Sequence, residues 1–101
     1  MKSVWVRYII EVLLPHPEGL SRQDVIDRVT SKRRAAGYSL PKDVMRTVQS
    51  AFNGHHQGSS EFRRRGRKPE DAFFYPVGGK WSGVWAVDAN RAKAWLERNS
   101  N

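Results

Sequence analysis

Apolar side chains recur at helical spacing in three stretches between Lys2 and Asn53, and then the pattern changes. Phe73–Val77 and Val84–Asp88 are short, aromatic, β-prone runs on either side of Gly78-Gly79-Lys80-Trp81-Ser82-Gly83. Side chains return to one face of a helix every three or four residues and to one face of a strand every second residue, so the change of period marks a passage from helices to a hairpin. The glycines stand where the turn needs positive φ. A chain of 101 residues has the length for one core. Residues 1–101 therefore read as a single α+β domain, helices first and hairpin after.

The first helix is expected over Lys2–Leu14. Trp5, Ile9 and Leu13 line one face, Val6 and Ile10 flank them, and Val12 and Leu14 widen the buried arc. Arg7 and Glu11 interrupt this run, which is far shorter than the roughly 20 residues that cross a bilayer, so no membrane anchor is expected. Pro15-His16-Pro17 follows without a small-residue cleavage site, which argues against a secretory signal. His16 reads as a solvent-facing loop histidine.

The second helix opens at Leu20-Ser21-Arg22-Gln23-Asp24-Val25. Ser21 is placed to cap the amide of Asp24, Asp24 to answer it, and Leu20 to staple onto Val25. Val25, Ile26 and Val29 supply the buried stripe, and the helix should fade over Lys32–Ala36 before Gly37. Lys32, Arg33 and Arg34 fall in the last turn, where cations favour the helix dipole and are equally placed to meet a phosphate.

The third helix is expected over Pro41–Asn53, with proline at its first position. Val44, Val48, Ala51 and Phe52, with Met45 beside them, form its apolar stripe. Lys42, Arg46, Gln49, Ser50 and Asn53 face outward, and these side chains hydrogen-bond phosphates and base edges. Two helices joined by a glycine-containing connector, the second basic on its outer face, outline a helix-turn-helix. The connector is longer than in the tightest form, which points to the winged variety.

Charge is concentrated in the same region. Residues 1–30 and 69–101 are each balanced, whereas residues 31–68 hold ten basic side chains against Asp43 and Glu61 and so carry the whole formal net charge of +8. A field localised in this way suits a polyanion. Arginine outnumbers lysine twelve to six, favouring planar contacts to phosphate or guanine. After the third helix, Gly54-His55-His56-Gln57-Gly58-Ser59-Ser60 reads as a loop, with His55 a candidate for phosphate or base contact. The adjacent histidines lack a matching ligand cluster, and no metal site is expected. Glu61-Phe62 reads as the start of a short strand. Arg63, Arg64, Arg65, Arg67 and Lys68 then form a self-repelling run, flexible until an anion arrives. Lys80 in the hairpin turn is a further backbone contact, and Trp81 beside it either packs on the domain or touches a ligand. Asp88 should cap a last helix, Ala89–Asn99, with Ala92, Trp95 and Leu96 as its apolar seam.

No Asp/Glu-x-Lys sequence, phosphate loop, cysteine nucleophile or Ser/His/Asp constellation is present, so neither catalysis nor a cofactor is expected. The absence of cysteine excludes disulfides and makes the cytoplasm the simpler expectation.

The order of elements resembles a winged helix-turn-helix domain: three helices, an aromatic hairpin with a glycine tip, and an extra C-terminal helix. More narrowly, it is similar to the HARE-type and related winged helices that accompany restriction endonucleases and chromatin proteins. The residues that carry the likeness are Leu20–Val29, Pro41–Phe52, Ser60-Glu61-Phe62, Ala72-Phe73-Phe74-Tyr75 and Gly83-Val84-Trp85-Ala86-Val87, within roughly residues 5–88. The arginine-rich insert Arg63–Lys68 and the helix bearing Trp95 depart from the usual pattern. The resemblance implies a double-stranded DNA-binding module, in a transcription regulator or in a restriction, defence or mobile-element system. Some relatives read N6-methyladenine, for which Trp81 and Trp85 are the aromatic candidates. The rival expectation is a winged helix that assembles with a protein partner or a second copy of itself, its cations only solvating it.

Overall fold

The helices of the chain are α1 (Lys2–Leu13), α2 (Arg22–Ala35), α3 (Val44–Gly54), the single-turn α4 (Ser60–Arg64) and α5 (Ala89–Arg98). Strands β1 (Leu20–Ser21), β2 (Phe74–Pro76) and β3 (Val84–Val87) form one antiparallel sheet in the order β1-β3-β2. The computed structural model describes residues 2–79 and 82–99. Lys80 and Trp81, both expected to meet a ligand, lie outside the described residues. The fold is α+β, with five α-helices around a small three-stranded sheet among the described residues.

Local chemistry explains most boundaries. Ser21 Oγ accepts the amide of Asp24 at 3.1 Å and starts α2. At the other end Gly37 adopts φ +81°, its N–H donates to Arg34 O, and the N–H of Tyr38 donates to Arg33 O, which closes the helix by a Schellman turn. Asp88 accepts from Arg91 N at 3.1 Å and starts α5.

The third helix begins at Val44 rather than at Pro41, because Asp43 caps it: Asp43 Oδ1 accepts from Arg46 N at 3.0 Å, and Asp43 O accepts from Thr47 Oγ1 at 3.0 Å. The helix also runs one residue past Asn53, to Gly54. On its inner face Val48 and Phe52 are fully buried and Val44 and Ala51 pack on the core, while Met45 is exposed.

Two expectations about residues 60–68 are overturned. Glu61-Phe62 belongs to a helix, not a strand, because Ser59 Oγ caps Phe62 N at 3.1 Å and Phe62 is buried beneath the turn. Ser59 Oγ also donates to Asn53 O, tying α4 to the end of α3. The arginine run is consequently not a loose string. Arg63 and Arg64 lie in α4, and Arg65 caps it before Gly66 turns with φ +65°. A 3-10 turn, Pro69–Asp71, follows.

Leu20 and Ser21 do more than staple and cap. They pair with Trp85 and Val84 as β1, and the N–H of Arg22 donates to Gly83 O at 2.9 Å, so the start of α2 is bonded to the hairpin. Gly19 makes this possible: its φ is +91°, and a Cβ there would stand 2.9 Å from Trp85 O. Trp85, Ala86 and Val87 are all buried, so β3 is covered on both faces.

An aromatic layer joins helix to sheet. Phe52 stacks on Trp85 with ring centres 4.4 Å apart, and its edge meets Phe74 at 5.3 Å. Phe73 stacks on His55 at 4.5 Å and leans on Trp95 of α5 at 5.6 Å. Such ring pairs add to the area they bury, and here they lock the orientation of α3 against the hairpin. The outer end of α5 is held by an ion pair from Arg98 to Asp71 at 2.7 Å.

Candidate nucleic-acid interface

Five of the sequence candidates stand on or just before the outward face of α3, and the structure divides them between two flanks. Gln49 and Asn53, one turn apart, lie on the flank that meets α2 and the hairpin. Gln49 Nε2 donates to Asn53 Oδ1 at 3.1 Å, and Arg22 Nη1 donates to Gln49 Oε1 at 3.0 Å. With Ser21, Gln23, Gly83 and Trp85 these residues line a groove of about 740 Å³. No carboxylate lines it; Ser21, Arg22, Gln23, Gln49 and Asn53 bring polar side chains, and Trp85 brings an indole stacked on Phe52.

Arg46 and Ser50 stand on the other flank. The Arg46 side chain is 85% exposed and reaches Asp43 only at 3.8 Å, a surface pair that contributes little. Lys42 is exposed just ahead of the helix. Comparison of the chain with family models, curated proteins and solved structures returns no match. The chemistry of these surfaces therefore rests on their geometry.

The remaining cations sort into free and engaged. Arg34, Arg63 and Lys68 are exposed and have no ion pair among the described residues. Lys32 is 3.7 Å from Glu11, and Arg64 and Arg65 share Glu61 at 3.4 and 2.8 Å. Arg33 is a structural residue. Its guanidinium lies 5.0 Å from the ring centre of Trp5, 5.8 Å from Tyr8 and 5.2 Å from Tyr38, and it donates to Ser39 O at 3.1 Å. A cation held among three rings and a carbonyl closes the joint between α1 and the α2–α3 connector and has little left for a phosphate.

His55 is corrected more firmly. It is 4% exposed, stacked on Phe73, and shares a hydrogen bond with Asp71 O at 2.8 Å, so it is part of the core. A carbonyl only accepts, which puts the proton on Nδ1. Burial, with the nearby Arg67 and Arg65 cations adding to it against the Asp71 hydrogen bond, holds the imidazole pKa below its ordinary value.

Arg22 and Gln23 were missed as contact candidates, since they belong to the charge-balanced first third of the chain. The cap at Ser21 was the available signal: it fixes both residues at the start of α2. Among the described residues no group of three or more His, Cys, Asp or Glu could hold a metal ion, and no helix is long and apolar enough to cross a membrane.

Proposed function

We propose that this domain is a winged helix-turn-helix that binds double-stranded DNA, with α3 in the major groove and the hairpin as its wing. The groove formed by Gln49, Asn53, Arg22, Gln23 and Gly83 carries the reading, because it sets amide side chains that match base edges beside the Arg22 cation, with no acid among them. The order of elements supports it: β1 between α1 and α2, and a hairpin after α3 whose second strand lies between β1 and β2. Arg22, Lys42, Arg46, Arg63 and Lys68 then serve as phosphate contacts, and Gln49 and Asn53 as readers of adenine edges. Trp85 is the one aromatic ring in the groove among the described residues and is stacked on Phe52.

The test is the salt dependence of duplex binding, followed by fluorescence anisotropy. About five phosphate contacts imply a log–log slope of roughly −4 to −5. A flat response would remove the proposal.

A further inference from the structure

Between the start of α1, the Arg46 flank of α3 and the turn after α4 lies a cleft of about 410 Å³. Three guanidinium groups line it, from Arg46, Arg65 and Arg67, together with the hydroxyls of Thr47 and Ser50 and the indole of Trp5. No carboxylate does. The arginines are unequally satisfied. Arg65 is paired with Glu61 at 2.8 Å and Arg46 only distantly with Asp43, while Arg67 has no ion pair among the described residues. The Nε of Arg67 is buried and has no hydrogen-bond partner among the described residues. A buried guanidinium N–H without an acceptor is costly, and folded proteins rarely leave one so.

We propose that this cleft binds the phosphomonoester of a nucleotide, with the phosphoryl oxygens on the guanidiniums of Arg46, Arg65 and Arg67, and the base against Trp5. The planar fork of arginine matches phosphate oxygens with paired donors, and the Ser50 hydroxyl supplies one more, the Thr47 hydroxyl being already donated to Asp43 O. The cleft falls within the roughly 300–1,000 Å³ of organic-ligand sites, so a bare phosphate ion would leave most of it empty. An indole beside the anion site offers the plane on which a base stacks, whatever its identity. His55 closes the inner wall as a neutral ring, so the cleft gains its charge from the three arginines alone. A free nucleotide and the phosphorylated end of a DNA strand present the same group. The inference is separate from duplex binding, with which it shares only Arg46 and Ser50 on one flank of α3.

The experiment is a titration of the full chain with deoxyadenosine monophosphate, deoxyadenosine and inorganic phosphate, read from the Trp5 indole and the Ser50 and Gly54 amide resonances. The monophosphate should shift all three saturably and deoxyadenosine none, with inorganic phosphate moving Ser50 and Gly54 but not Trp5. Arg67→Gln, and independently the surface change Arg46→Gln, should each weaken the monophosphate by about tenfold or more. Gln49→Ala, on the opposite flank, should leave it unchanged. Equal shifts from nucleotide and nucleoside, or unaltered affinity in both arginine variants, would overturn the proposal. Single strands with and without a phosphorylated end separate the two sources. Tighter binding of the phosphorylated strand than of the monophosphate assigns strand ends, and equal affinity assigns the free nucleotide. A duplex with unphosphorylated ends is titrated in parallel. Loss of nucleotide binding alone sinks this inference, whereas loss of duplex binding alone sinks the duplex proposal.

Discussion

Phe52 of α3 and Trp85 of β3 lie face to face, their ring centres 4.4 Å apart and their planes within 3° of parallel. The stack is how the outer face of a helix is aimed by a sheet. Phe52 is wholly buried, Trp85 is 8% exposed, and the rotation of α3 that turns Gln49 and Asn53 toward the groove is set by this contact.

Trp85→Ala should therefore cost about 3–5 kcal/mol, a large part of the stability of a domain this size. Urea unfolding measures it. Trp85→Phe, which keeps a ring against Phe52, should lose distinctly less, and equal losses would mean that area rather than stacking holds the helix.

Along α3 itself, affinity and stability should separate. Arg46→Ala removes an exposed side chain and should leave the melting temperature nearly unchanged while weakening duplex binding. Val48→Ala opens a cavity in the core and should cost about 1–3 kcal/mol. Thermal unfolding and anisotropy on the same two variants check both halves.

How much of this was legible in the sequence depended on the range of each interaction. The caps at Ser21 and Asp88 reach only three residues, and both helix starts were foreseen. Asp43 works over the same short range but was passed over in favour of Pro41, whose compatibility with a first turn says nothing against a stronger cap two residues later. Ser59 likewise announced α4, yet Glu61-Phe62, between a glycine-rich loop and a run of arginines, reads as the start of a strand. Arg33 and His55 could not be placed by local reasoning. Their partners, Trp5 and Tyr8 for one and Phe73 and Trp95 for the other, come from distant parts of the chain, so a cation and a histidine counted as surface proved to be packing residues.

The burial of His55 predicts an acid sensitivity. Its folded pKa is depressed, so on acidification the unfolded chain takes up a proton at the ordinary value of 6.5 before the folded chain does. The stabilisation is complete above that value and is lost as pH falls through the folded pKa. Urea midpoints taken from about pH 7 to about pH 5 should decline, and His55→Phe should flatten the decline in that window. An unchanged slope in the variant would assign the sensitivity to other groups.

Gly19 should resist substitution. Gly19→Ala combines a positive φ with a Cβ against Trp85 O, and should destabilise the domain by about 1–3 kcal/mol through loss of the β1–β3 pairing. Amide exchange at Arg22, whose N–H is bonded to Gly83 O, should quicken before that of α3.

The most direct test of the duplex reading is resonance mapping of the domain with a short DNA duplex at low salt. Binding through α3 predicts that the side-chain amides of Gln49 and Asn53 and the backbone amides of Arg22, Gln23, Arg46 and Ser50 move together, while the Arg33 guanidinium and the His55 ring stay fixed. Shifts confined to α5 and the 3-10 turn, or none along α3, would contradict it.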